Sequence, residues 1–133
     1  MRLTSAALVL VLLAPLGCGG EESSFTEDYN RAVKPLTRLG EGLDAKPATF
    51  DRLARRTERT RRELAKVDAP ESAQDEFEAL LARLDAVTRD LDAVARADRS
   101  GDVVKQRRAA RRLVQSGNAF ERAETALKRA VEE

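Results

Sequence analysis

Pro70–Asp98, PESAQDEFEALLARLDAVTRDLDAVARAD, decides the fold. Phe77, Leu80, Leu84, Val87, Leu91 and Val94 recur at alternating spacings of three and four. That spacing places them on one face of an α-helix, and Leu81 widens the stripe. Glu71, Asp75 and Glu76 lie at the N-terminal end, where the helix dipole favours acids. Pro70, after the turn Asp68-Ala69-Pro70, suits the first position of a helix. The spacing predicts a third helix over about 70–98.

The same period continues on both sides. Phe50, Leu53, Thr57, Thr60, Leu64 and Val67 predict a second helix over about 48–67. Its middle layer is threonine. Either the methyls pack while the hydroxyls bond back to the helix, or the bundle has a polar waist. After Arg99-Ser100-Gly101-Asp102, the residues Val103, Ala110, Leu113, Gly117, Phe120, Leu127 and Val131 predict a fourth helix over about 102–131. One continuous helix is expected, with Gly117 admitting a close neighbour; the alternative is a break, with Asn118 and Glu121 capping a fresh helix. Upstream, Ser24 and Glu27 read as a capping box. Phe25, Tyr29, Ala32, Val33, Leu36 and Leu39 predict a first helix over about 25–41, kinked near residue 31 by Pro35 or stopped at Lys34.

Four helices with short connections make an all-α, antiparallel up-down-up-down four-helix bundle over 25–133. No segment alternates with β-branched enrichment, so no strand is expected. Charge supports the packing. Residues 50–67 carry seven cations against three acids, 68–98 three against nine, and 99–133 nine against five. Neighbouring helices of opposite charge pair favourably, although each exposed ion pair contributes only about 0–1 kcal/mol.

Composition excludes several functions. Histidine is absent, removing the commonest general base and transition-metal ligand. The single cysteine allows no internal disulfide and no cysteine-rich metal site. Asp85, Asp92 and Glu78 are spaced like a solvated face, and no glycine-rich phosphate loop occurs. No catalytic residue, metal site, cofactor or small-molecule substrate is expected. The net charge of +1 lacks the basic excess of a dedicated nucleic-acid binder. Arginine outnumbers lysine, 19 to 5. That bias fits phosphate recognition, and it also fits a GC-rich genome; the wealth of alanine favours the latter.

The first residues read as an export signal. Arg2 is followed by a nearly unbroken apolar run, Leu3 to Leu13, then Pro15-Leu16-Gly17-Cys18-Gly19-Gly20. The run is too short to span a bilayer as a helix, which takes about 20 residues. The segment resembles the signal of bacterial lipoproteins: small Gly17 precedes Cys18, while Pro15 and Leu16 depart from the family's usual residues. The resemblance implies a signal peptide at 1–17, diacylglyceryl and palmitate-type acylation at Cys18, and anchoring to the outer face of the cell membrane. Two or more acyl chains anchor a protein stably. Residues 18–24 then form a short flexible tether, its six residues after Cys18 reaching at most about 20 Å. From Asp68-Ala69-Pro70 through Gly101-Asp102 into the last helix, the chain also resembles a group of small exported bacterial helical proteins, which implies fold and location but no activity.

This geometry turns the 99–102 turn away from the membrane. Two non-catalytic functions follow. In the first, the domain is an interaction or scaffold module of the cell envelope, meeting a protein partner through Arg96, Arg99, Val103, Val104, Arg107 and Arg108. Val103 and Val104 cannot both enter one seam. In the second, Arg55, Arg59 and Arg62 of the second helix and Arg107, Arg108, Arg111 and Arg112 of the fourth bind an anionic polymer or lipid headgroup.

Overall fold

The computed structural model describes residues 20–36 and 46–132, with side chains from Ser24 onward. Among the described residues the regular structure is helical, with no strand: α1 (Gly20–Val33), α2 (Pro47–Leu64), α3 (Gln74–Ser100) and α4 (Val103–Glu132). Short 3-10 turns follow α1 at Lys34–Leu36 and precede α3 at Glu71–Ala73. The four helices pack against each other, and α3 is central. It packs along α2 and along α4, whereas α1 makes a smaller contact with α2.

The six-residue stripe of α3 is buried throughout, together with Ala95 and Ala97. It meets Phe50, Ala54 and Leu64 of α2, Phe120, Leu127 and Val131 of α4, and Phe25, Tyr29 and Val33 of α1 in one apolar core. Burying each large aliphatic or aromatic side chain contributes about 1.5–3 kcal/mol. Thr57 and Thr60 are buried in the α2 seam. The Thr57 hydroxyl donates to the Leu53 carbonyl at 2.7 Å, so its methyl packs and its polar atom is satisfied within the helix. Two cross-helix ion pairs join α2 to α3: Arg61 Nε to Asp85 Oδ1 at 3.1 Å, and Arg99 to Asp51.

Several boundaries differ from expectation for local reasons. The first helix begins at Gly20, so residues 20–24, expected as flexible tether, are helical, and Ser24 lies inside the helix and is not its cap. Its α-helical part stops at Val33 and tightens to 3-10 geometry over Lys34–Leu36. Pro35 has no N–H to donate and its ring crowds the carbonyl of residue 31, which ends the α-ladder instead of kinking it. Leu39, Gly40 and the rest of 37–45 lie outside the described residues. The second helix starts one residue early because Pro47 occupies its first turn, a position where the missing N–H costs nothing. It also ends at Leu64, short of Val67. Pro70 precedes the third helix instead of opening it: its ψ of 147° is extended, and a 3-10 turn intervenes.

The α3–α4 connection is two residues long. Gly101 adopts φ 70°, a left-handed conformation that glycine takes without strain. Asp102 then caps α4. Its Oδ1 accepts from the backbone N–H of Val104 at 2.9 Å and of Lys105 at 3.1 Å. The fourth helix runs unbroken through Ser116, Gly117 and Asn118, with Ser116 and Gly117 buried.

Candidate functional site

Two places on α4 hold chemistry that the core does not need. The first is its outer face near the α3–α4 turn. Val103, Val104 and Val114 are 54%, 65% and 47% exposed, the large hydrophobic residues that the described fold leaves uncovered. Val103 was expected on the buried stripe, and the structure overturns that. The buried register of α4 runs Ala109, Ser116, Gly117, Phe120, Glu124, Leu127 and Val131. Val103 opens α4 directly after a two-residue turn, and there its side chain is left in solvent. The valines have arginines as neighbours. Val104, Arg107, Arg108, Arg111, Arg112 and Gln115 bound a depression of about 420 Å³. A second depression, shared with Ala110 and Val114, lies alongside. Both are bounded by one helix only, so they are relief between long side chains and not an enclosed ligand cavity.

Arg107, Arg108, Arg111 and Arg112 are exposed and make no ion pair with any described residue. From Val103 to Phe120 the sequence contains Lys105 and these four arginines and no acidic residue. The other sequence-derived candidates divide. Arg96 is exposed on α3. Arg99 is already engaged: both terminal nitrogens of its guanidinium donate to the two Asp51 carboxylate oxygens. That hydrogen bond holds the Asp51 carboxyl below its ordinary value and raises Arg99. Arg99 is therefore a brace between α3 and α2, not a free contact. Arg55, Arg59 and Arg62 are exposed on α2. Helices α2 and α4 each pack on α3, so their arginines form two stripes and not a single patch.

The second place was not expected. Glu124 is only 5% exposed and lies in the α4 seam between Phe120 and Leu127. The Tyr29 hydroxyl, itself on a residue 1% exposed, donates to Glu124 Oε2 at 3.1 Å. Around Tyr29 lie Phe25, at a ring separation of 5.9 Å, and through it Phe77 in a perpendicular edge contact at 5.5 Å. Burial pushes Glu124 up to about 7; the nearby Glu121 charge adds to that, and the Tyr29 hydrogen bond opposes it. Burial first, then the Glu124 charge and hydrogen bond, raises Tyr29 well above its ordinary value, so it remains a donor. A signal existed in the sequence. Leu113, Gly117, Phe120, Glu124, Leu127 and Val131 are spaced four, three, four, three, four, and Glu124 fills an apolar slot.

Comparison with protein-family models, with curated proteins and with solved structures finds no match to this chain. Its chemistry therefore has to be read from its own residues. No group of three or more His, Cys, Asp or Glu side chains among the described residues is arranged to hold a metal ion. Among the same residues, no helix is long and apolar enough to cross a membrane. Asp85 is paired with Arg61, and Glu78 accepts a hydrogen bond from Gln74 at 3.3 Å, so these carboxylates have surface roles. Cys18 and the apolar run before it lie outside the described residues.

Proposed function

We propose that this chain is a lipid-anchored, non-catalytic interaction module of the bacterial cell envelope, tethered through Cys18, whose contact surface is the outer face of α4. One observation carries the contact surface. The exposed valines all sit on the first half of α4, beside Arg107, Arg108, Arg111 and Arg112, which make no ion pair with any described residue. Scattered exposed apolar residues are ordinary, but a local group rimmed by unpaired charge marks an interaction surface. The matching partner is a protein face with apolar residues framed by carboxylates.

The anchor rests on the sequence around Gly17-Cys18. The helices run up-down-up-down in this reading. Its support is the two-residue α3–α4 turn and the α2–α3 ion pairs, which link residue 51 to 99 and 61 to 85. That order directs the α3–α4 turn, and the valines beside it, away from the tethered end.

A photo-crosslinking residue in place of Val104, in intact cells, tests the contact. One dominant protein adduct is expected, lost when Arg107 and Arg108 are changed to Ser. An adduct pattern no different from that of a probe at Glu78 refutes the surface. Cys18→Ser tests the anchor by releasing the protein from the membrane fraction.

The unpaired cations of α4 also support a second reading, binding of an anionic polymer or lipid headgroup. Such binding weakens steeply with salt, whereas a contact seated on Val104 and Val114 keeps most of its affinity. A salt titration of purified protein against polyphosphate and against anionic vesicles separates the two.

A further inference from the structure

Glu124 is the one ionisable carboxylate among the buried residues of the described fold, between Phe120 and Leu127. Its described hydrogen bond is to a phenol on another helix, not to a cation. Around it, α1 contributes Tyr29 as the titratable group, while Glu27 and Asp28 lie toward solvent and Asp28 pairs with Arg31 at 3.4 Å. Helix α3 contributes buried Phe77 and Leu80, with Asp75, Glu76 and Glu78 at least partly exposed. Helix α4 itself contributes Glu121, a like charge. Arg122 is exposed, and Lys128 reaches toward Glu132 at 4.0 Å. On α2, Glu63 and Lys66 pair with each other at 3.0 Å. An ionised Glu124 is thus a buried negative charge with a hydrogen bond but no counter-ion among the described residues, an expensive arrangement. A protonated Glu124 keeps the same link, because the tyrosine oxygen can donate or accept.

We propose that the Tyr29–Glu124 pair is a proton-operated latch that seats α1 on the bundle when Glu124 is protonated and loosens it when Glu124 ionises. Helix α1 is the natural moving part. It is short, and its packing is far less extensive than that joining α3 to α2 and α4. It is also the element next to the N-terminal tether. Opening α1 exposes Glu124 to water and restores ordinary acidity, so opening becomes easier as pH rises. The titration of buried Glu124 near 7 places the change at neutral pH.

Hydrogen exchange of the full chain, followed by mass spectrometry at pH 5.5 and 8.5, tests the latch. Rates are corrected for the intrinsic base catalysis of exchange. A carboxyl moving from about 7 when docked to its ordinary 4.5 when released makes α1 opening roughly thirty-fold easier at the higher pH. The α1 amides should lose protection by about that factor and should be less protected than the α3 amides at both pH values, because α1 opens without the rest of the bundle. In Glu124→Gln the α1 protection should be nearly the same at both pH values. In Tyr29→Phe, which removes the donor to the ionised form, the loss should exceed that of the wild type. Equal protection at both pH values in the wild type overturns the latch, as does an equal loss in Glu124→Gln. Equal protection of α1 and α3 also overturns it, since α1 then opens only by global unfolding. If Glu124→Gln does not fold, the contrast between wild type and Tyr29→Phe decides.

Discussion

The two ends of the bundle are built on opposite terms. At the α1 end, four helices enclose aromatic rings, and even a carboxylate and a phenol are shut away from water. At the α3–α4 turn, valines stand in solvent among arginines with no acidic partner. The same helix, α4, serves both ends, purely basic from Val103 to Phe120 and of mixed charge beyond. What differs as well is how many neighbours reach it. Burial at the first end fixes stability and makes it sensitive to protons. Exposure at the second leaves side chains free to meet another molecule.

The contrast can be broken most severely in the core. Phe120 is fully buried, and Phe120→Ala should destabilise by about 3–5 kcal/mol in urea unfolding. Were Val104→Ala to cost as much, the turn end would be a second core and the comparison would fail.

The next effect is in pH. Glu124 has its pKa raised in the folded state, so its contribution to stability is complete below about 4.5 and is lost as pH rises to about 7. That shift corresponds to roughly 3 kcal/mol. Thermal unfolding from pH 4.5 to 8 should show the decline, and Glu124→Gln should flatten it. The Asp51–Arg99 brace near the other end has the opposite sign. Asp51 is held low, so its smaller contribution is present above the ordinary aspartate range and is lost on acidification. Substituting Arg99→Ala should remove that acid-side loss and leave the Glu124 decline intact.

Smaller effects sharpen the picture of the turn. Asp102→Ala removes the cap of α4 and should cost about 1 kcal/mol. Gly101→Ala should cost a similar amount, about 1 kcal/mol, through backbone strain alone, because an added methyl there meets nothing within 4 Å. Last, Val104→Ala should change stability by less than about 0.5 kcal/mol while abolishing the crosslinked adduct formed from a probe placed at Val114. A loss of stability without loss of the adduct would return Val104 to a packing role.

Much of this molecule was readable before its structure. The three-and-four spacing from Phe77 to Val94 identified the central helix, and every residue of that stripe is buried. The Thr57 hydroxyl bonds back to its own helix, and α4 runs unbroken through Gly117. The misreadings cluster where a neighbour or a terminus decides. Ser24 has the capping sequence but sits inside a helix that starts earlier. Val103 has the spacing of a core residue but stands exposed in the first turn of α4. Arg99 looked free and is braced by Asp51, 48 positions away. Glu124 was passed over because a charged residue in an apolar slot reads as surface until a partner such as Tyr29 is known.

The sequence by itself determined that the described chain is helical and which face of each helix turns inward. Both follow from a period of 3.6 residues and the cost of exposing apolar surface, and both are local properties. Only the tertiary structure decided which exposed residues are uncovered, which arginines are engaged, and that a carboxylate lies buried under α1. Those outcomes depend on side chains up to 95 positions apart in the chain meeting at one point, and the spacing along one helix carries no information about its neighbour.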